Sequence, residues 1–239
     1  MTSIKNKVAL ITGGSKGIGL GIAEAMVKEG MKVAITSRSA DAAERAAEYL
    51  NNLKLDSAIG IQADVTSYEA QEASVAKTLA AFGQLDVLIA NAGVGHFAPI
   101  ESLSVEQWQQ TIDINLTGVF YSVKAAIPAL KKSKGYFISV ASLAGTNFFA
   151  AGAAYNASKF GLVGFTQAVM LDLRKSGIKV STIMPGSVAT YFNNHVPSEQ
   201  DAWKIQPEDI GKLVIDLLTM HPRTLPSKIE VRPSIPGGR

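Results

Sequence analysis

The sequence predicts an α/β fold, a doubly wound parallel sheet of about seven strands with helices on both faces. Three observations carry that prediction. Short Val- and Ile-rich runs recur from one end of the chain to the other. Helix-length amphipathic stretches separate them. A glycine-rich turn stands where the first run meets the first such stretch.

The strand candidates are Lys7 to Thr12, Lys32 to Thr36, Ala58 to Gln62, Asp86 to Ala90, Tyr136 to Val140, Lys179 to Ile183 and Lys228 to Val231. They are short and apolar on both sides, as strands of a sheet covered on both faces must be. Between them, Ile18 to Glu29, Ala40 to Leu50 and Tyr68 to Phe82 read as amphipathic helices. Two longer helical stretches run from Ser104 to Lys132 and from Ala153 to Lys175. Strand and helix in alternation build right-handed crossovers and three α/β/α layers. Residues 190–206 break the pattern and hold Tyr191, Phe192, His195 and Trp203. A bulky loop of that length reads as a lid. The expected organisation is therefore one domain over 1–239 with a substrate lid at 190–206.

Composition narrows the function classes. The chain has 239 residues, of which 47% are hydrophobic and 18% charged, below the usual share of roughly 25%. That excludes a disordered tail protein. No apolar run approaches the ~18 residues that span a bilayer, so no membrane is expected. The absence of cysteine removes disulfides, thiol nucleophiles and thiolate metal sites. No two histidines are closely spaced, so no metal is expected. The first strand candidate follows Met1 too closely for a signal peptide, and a cytoplasmic protein is expected. Net charge is +3 and the pI near 9.0. The densest basic cluster, Lys131, Lys132 and Lys134, closes a predicted helix, where cations complement the dipole. Nucleic acid is not the expected partner.

The first strand runs into Gly13-Gly14-Ser15-Lys16-Gly17-Ile18-Gly19. Glycines let the chain turn tightly and bring backbone N–H groups to a pyrophosphate at a helix N-terminus. The spacing is neither G-x-G-x-x-G nor that of a P-loop, because no G-K-[S/T] occurs. A dinucleotide site normally offers Asp or Glu at the end of the second strand, for a ribose 2′-hydroxyl. Here that strand ends in Thr36, Ser37, Arg38 and Ser39. An arginine fork suits a 2′-phosphate, and Lys16 adds a second cation. The expected cofactor is NADP(H).

Tyr155 and Lys159 stand one helical turn apart on one face of their helix. A free phenol titrates near 10. An ammonium beside it favours the phenolate and brings proton exchange nearer neutrality. Ser142 follows the fifth strand, Asn91-Ala92-Gly93 follows the fourth, and Asn115 sits inside a long helix, where asparagine is a mediocre former.

These residues together resemble the short-chain dehydrogenase/reductase family in its single-domain Rossmann-type form, and the chain's ending, Ser227 to Pro233, is similar to that of its branch of NADP-dependent carbonyl and 3-hydroxy-acid reductases. The family's Thr-Gly-x-x-x-Gly-x-Gly loop is met by Thr12 to Gly19, and its Asn-Ala-Gly by Asn91, Ala92 and Gly93. Its tetrad is met by Asn115, Ser142, Tyr155 and Lys159, and its Pro-Gly turn by Pro185 and Gly186, with Val188 and Thr190 following. The resemblance implies that Tyr155 exchanges the proton with a carbonyl or alcohol while Ser142 orients it. It implies that Lys159 lowers the tyrosine pKa and binds the nicotinamide ribose. Asn115 would hold a water that links Lys159 to solvent. The adenine contact falls to Asp64 and Val65, the cofactor cleft to Asn91 to Gly93, and the carboxamide to Thr190 and the backbone of Val188.

The ending departs from that of many relatives. Gly237-Gly238 come late, after Ser227 to Pro233. The 3-oxoacyl-[acyl-carrier-protein] reductases tend to carry arginines where this chain has Ile127 and Ser176. The expected activity is NADPH-dependent reduction of a ketone or aldehyde, with thioester reduction as the alternative. A non-catalytic dinucleotide sensor is more distant, because such proteins commonly lose the tyrosine or lysine. Assembly is expected as a homotetramer, or a homodimer, through the two long helices. Phe148 or Phe149 is expected at the pocket wall, and His96, Asp86, Asp113 and Asp172 in structural roles.

Overall fold

A computed structural model describes residues 3–235. Gly237 and Gly238 lie outside the described residues. Seven strands form one parallel sheet. They are β1 (Val8–Ile11), β2 (Lys32–Ser37), β3 (Ala58–Gln62), β4 (Val87–Ala90), β5 (Tyr136–Val140), β6 (Lys179–Pro185) and β7 (Lys228–Val231). Their order across the sheet is β3-β2-β1-β4-β5-β6-β7. The order reverses at β1, which pairs with β2 on one side and β4 on the other. In open α/β sheets ligands bind outside the carboxyl ends of the strands at such a switch point.

The helices are α1 (Gly17–Lys28), α2 (Ala40–Leu53), α3 (Tyr68–Phe82), α4 (Val105–Ile112), α5 (Gly118–Ser133), α6 (Ala153–Leu173) and α7 (Pro207–Thr219). Strand alternation divides the core in two. Ala9, Ile11, Val33, Ile35, Val87 and Ile89 face a layer built from α1, α2 and α7. Leu10, Ala34, Leu88 and Ala90 face the opposite layer of α3, α5 and α6. A one-residue register slip would exchange these sets, so burial on both faces fixes the pairing.

Several boundaries differ from the sequence reading. Thr12 has left β1, and its hydroxyl accepts from the N–H groups of Asn91 and Ala92 at 3.0 and 3.2 Å. Strand β6 continues to Pro185, which pairs with Val231 at the sheet's edge strand. The long helix from Ser104 is broken by a π-helical turn over Asp113–Thr117, where the Gly118 N–H reaches back to the Asp113 carbonyl. Helix α7 lies outside the predicted stretches. It starts with Pro207 after a capping box between Gln206 and Asp209. It packs on α1 through Gly21 and Gly211; a Cβ on Gly211 would stand 2.6 Å from the Gly21 carbonyl oxygen.

Asp86 is a staple beneath the sheet. Its buried carboxylate accepts from Lys7 Nζ at 2.8 Å, the Val8 N–H at 2.9 Å and Gln84 Nε2 at 2.8 Å. Asp113 accepts from Gln109 at 2.7 Å, and Asp172 is exposed.

Candidate active site

Helices α2, α3 and α4 are each capped by a serine, Ser39, Ser67 and Ser104, whose hydroxyl accepts from the first turn. Helix α1 has Lys16 as its N-cap, with no side-chain capping bond. Its first N–H groups therefore face outward with the positive end of the dipole. Gly13 and Gly17 hold φ of +63° and +56°, the left-handed region that favours glycine. A Cβ on Gly19 would stand 2.5 Å from the Gly13 carbonyl oxygen and 2.6 Å from Asn91 Nδ2, so only glycine fits there.

Asn91 anchors this loop. Its Nδ2 donates to the carbonyls of Thr12 and Gly13, both at 3.0 Å. Its amide thus holds the turn in shape from the neighbouring strand. Gly17 faces Thr190, whose Cβ lies 3.3 Å from where a Gly17 Cβ would be.

A cleft of about 510 Å³ opens beside the ends of β2 and β3, lined by residues that include Arg38, Asp64, Thr66 and Ile114. No ion pair among the described residues engages Arg38 or Lys16. Asp64 is occupied locally, accepting from the Thr66 N–H and hydroxyl at 2.9 and 2.8 Å. Val65 is buried against Gly118. Ser39 caps α2, and its own N–H donates to Ser37 at 3.3 Å. Uncapped helix, glycine cradle and free cations fit an elongated anion with phosphates at both its centre and its ribose.

The second half of the site lies at the ends of β4, β5 and β6. The buried Lys159 donates from Nζ to the Val140 carbonyl at 3.2 Å. Burial pushes its pKa down to about 8. A Cβ on Gly93 would stand 3.3 Å from Asn115 Oδ1 and 3.6 Å from Lys159 Nζ, so Gly93 brings the fourth strand's end close to both. Asn115 sits in the π-turn with its amide fully engaged. Its Oδ1 accepts from the Val94 N–H at 2.8 Å, and Nδ2 donates to the Val94 carbonyl at 2.8 Å and Ser158 Oγ at 3.0 Å.

Tyr155 is partly buried, with the Ser142 hydroxyl beside it. Burial pushes its phenol up, and Ser142 offsets part of that rise. This corrects the lowered phenol that the sequence predicts. Lys159 Nζ lies 5.7 Å from the ring centroid, over the ring face, and burial dominates. Ser142 Oγ also accepts from the Ala144 N–H at 3.1 Å and lies 3.5 Å from the Pro185 carbonyl. Gly186 donates to Val231 at 2.8 Å, which sets the turn after β6 against the last strand.

Residues 190–206 are ordered by their own contacts. The Ala189 N–H donates to the Ile205 carbonyl at 2.9 Å, and the Ile205 N–H to Ser187 at 3.1 Å, beside a bridge from Val188 to Ile205. Inside this neck, buried Asp201 accepts from Lys204 Nζ at 2.5 Å, His195 Nε2 at 2.6 Å and the Ser198 N–H at 3.0 Å. Lys204 above all, then His195, holds its carboxyl far below the usual range. Phe192 reaches from this segment to Tyr155, with ring centroids 5.7 Å apart. Phe97 meets Tyr155 at 5.3 Å. Phe149 joins Phe97 at 5.9 Å, whereas Phe148 is 87% exposed.

Sequence reasoning therefore located the residues now found together around Tyr155 and around the α1 N-terminus. It did not find Phe97, Gly95, Ser158 or the Asp201 cluster. Phe97 lies in the connection that follows β4 and carries no motif; its only signal is a bulky ring shortly after a strand. His96 bonds Gln110 at 2.6 Å, and His221 accepts from the Arg223 N–H at 3.2 Å. Among the described residues, no group of three or more His, Asp and Glu is placed to hold a metal, and no helix is long and apolar enough to cross a membrane.

A sheet of this order, with a glycine cradle at its switch point and a tyrosine–lysine pair alongside, defines a class of dinucleotide-dependent oxidoreductases. Comparison with known proteins agrees. The family model described as short chain dehydrogenase matches residues 7–201. The chain belongs to that family. It is 38% identical to trans-4-hydroxycyclohexanecarboxylate dehydrogenase of Sinomonas cyclohexanicum, over 90% of this chain and 86% of that protein. An uncharacterised oxidoreductase of Staphylococcus aureus is 34% identical over 98% of this chain and 100% of its own. Among solved structures, an alcohol dehydrogenase from Thermococcus sibiricus, complexed with 5-hydroxy-NADP, superposes with a TM-score of 0.89 at 30% identity, covering 95% of this chain and 97% of that one. A 3-ketoacyl-(acyl-carrier-protein) reductase from Brucella melitensis, complexed with NADH, gives a TM-score of 0.89 at 28% identity, covering 97% and 99%.

Proposed function

We propose that this protein is an NADPH-dependent reductase of ketones or aldehydes, reversible as an alcohol dehydrogenase. The observation that carries the reading is the convergence of Ser142, Tyr155 and Lys159 beside a glycine cradle and an Arg38 that no ion pair among the described residues engages. When bound, the nicotinamide supplies hydride chemistry. Tyr155, held protonated by burial, gives its phenolic proton to the substrate oxygen, and Ser142 hydrogen-bonds the same oxygen and orients it. Lys159 holds the nicotinamide ribose and, near its pKa of about 8, passes protons toward Tyr155. Asn115 keeps the helix open at its π-turn, where a water would link Lys159 to solvent.

Gly13, Ser15, Lys16, Gly17, Ile18 and Gly19 hold the pyrophosphate. Ser37, Arg38 and Ser39 hold the 2′-phosphate, and Asp64 and Val65 the adenine. Asn91, Ala92 and Gly93 shape the cleft. Pro185, Gly186, Val188 and Thr190 line the nicotinamide end. Residues 190–206 close over the substrate as a lid on a single domain. The thioester alternative draws support from the structural similarity to the Brucella reductase. Exposed Trp108, Phe120, Phe160 and Leu171 on α4, α5 and α6 support a homotetramer.

The test is loss of NADPH or NADH absorbance with a carbonyl panel that includes an acetoacetyl thioester. We expect turnover with NADPH and a loss of nearly all of it in Tyr155→Phe. Arg38→Ala should raise the NADPH KM about 10-fold or more, consistent with a lost charge-assisted pair, and leave NADH nearly unmoved. A wild-type preference for NADH would overturn the cofactor assignment.

A further inference from the structure

We propose that Phe97, Phe149 and Phe192 form an aromatic recess against Tyr155 that selects carbonyl compounds bearing an uncharged ring beside the carbonyl. The inference deepens the reductase reading and rests on it.

The three phenylalanines come from three separate connections at the carboxyl end of the sheet. Phe97 meets Tyr155 edge-on at 5.3 Å, Phe192 meets it at 5.7 Å, and Phe97 and Phe192 lie 6.3 Å apart. Phe149 backs Phe97 at 5.9 Å. All four rings are within the range at which aromatic pairs attract. Yet Phe97, Phe149 and Phe192 remain 39%, 48% and 37% exposed. Their faces are gathered around the proton donor without being covered.

Gly95 makes this gathering possible. A Cβ there would stand 2.6 Å from Phe192 Cζ and 2.8 Å from Phe97 Cζ. Two of the walls are held by hydrogen bonds in their connections. The Ala98 N–H donates to the Ala151 carbonyl at 2.9 Å, and the buried Asn156 side chain donates from Nδ2 to the carbonyls of Ala144 and Asn147, both at 2.8 Å. The third wall, Phe192, precedes Asn193 and Asn194, whose φ of 55° and 60° lie in the left-handed region. Asparagine tolerates that region better than most residues.

Charge excludes part of the substrate space. The imidazole of His96 is turned to Gln110 at 2.6 Å. The His195 imidazole and the Lys204 ammonium are committed to Asp201 at 2.6 and 2.5 Å. A carboxylate on the far side of a substrate ring would find no free cation among these groups, and its desolvation would go uncompensated. An apolar ring gains edge and face contacts instead. Two such contacts correspond to about tenfold in affinity.

The experiment compares acetophenone, cyclohexyl methyl ketone, 2-butanone and 4-acetylbenzoate with NADPH. We expect kcat/KM for the two uncharged ring ketones to exceed that for 2-butanone about tenfold or more, mostly through KM, and 4-acetylbenzoate to lose that advantage. Phe97→Ala and Phe192→Ala should each reduce the ratio of acetophenone to 2-butanone by about tenfold. NADPH binding, read by fluorescence, checks that each variant is folded. A ratio that is flat in the wild type, or that survives both substitutions, overturns the recess. If the wild type turns over no carbonyl at all, the reductase reading fails separately. Saturation-transfer NMR of acetophenone then judges the recess: ring signals that weaken in Phe192→Ala support it, and equal signals overturn it.

Discussion

Two tyrosines stand at opposite ends of β5 and its neighbouring helix, and each has a serine and a lysine beside it. Tyr155 has Ser142 beside it, with Lys159 Nζ 5.7 Å from its ring. Tyr136 bonds Ser181 at 2.7 Å, with Lys179 Nζ 5.9 Å from its ring. In both, burial pushes the phenol up and the serine offsets part of the rise. In both, burial pushes the lysine down. The residue types and local electrostatics are alike. What differs is position. Tyr136 begins its strand and Ser181 passes its bond on to the Pro226 carbonyl at 2.5 Å, so the hydroxyls are consumed inside the protein. The Tyr155 set lies at the carboxyl ends of the strands, next to the glycine cradle and the partly exposed phenylalanines. A site is made by what the chain leaves open around a pair of groups, and not by the pair alone.

Substitution at the two tyrosines gives the sharpest contrast. Tyr155→Phe should lower kcat by about 10²- to 10⁴-fold, the usual worth of a positioned acid, with little change in Tm. Tyr136→Phe should keep kcat and lower stability by about 1 kcal/mol, read by urea unfolding. Equal kinetic effects would break the comparison.

The lysines give a smaller, pH-dependent contrast. Lys159 titrates at about 8 when folded and near the ordinary 10.5 when unfolded. Between these values the unfolded chain binds a proton that the native one has lost, so stability rises with pH across that window. Below about 8 both states are protonated, and the full cost of burying the charge is present. Lys159→Met should therefore be most stabilised relative to wild type near neutrality, with the difference in Tm narrowing as pH rises through the window. A constant difference from pH about 7 to about 10 would contradict this. Lys179→Met, at a partly exposed position, should shift stability by no more than about 0.5 kcal/mol, measured by the same scans.

The sheet was legible in the chain because each strand is a short apolar run bounded by polar residues, and all seven candidates correspond to observed strands. The residues around Tyr155 were legible because helical spacing and strand ends are local properties. Three things were not. Helix α7 carries its signals, Pro207 at the start and Asp209 in a capping box, but no glycine-rich turn or motif draws attention to it. The aromatic recess joins residues 97, 149 and 192, whose side-chain directions are set by separate connections. The Asp201 cluster depends on a loop's backbone path, which no periodicity encodes. Arg38 was visible, yet that no ion pair among the described residues engages it is a fact of three dimensions.

Strand order has a consequence for how the protein is made. β1 is flanked by β2 and β4, and β4 begins only at Val87. At ribosomal speeds of about 5–20 residues per second, the interval between the end of β1 and the synthesis of β4 is on the order of 4–15 seconds. For that time one hydrogen-bonding edge of Val8–Ile11 has no partner, and the carboxylate of Asp86 that will clasp Lys7 does not yet exist. The strand at the switch point of the sheet is thus the one left longest half-paired on the nascent chain, and the period before Asp86 emerges is when a chaperone has most to shield.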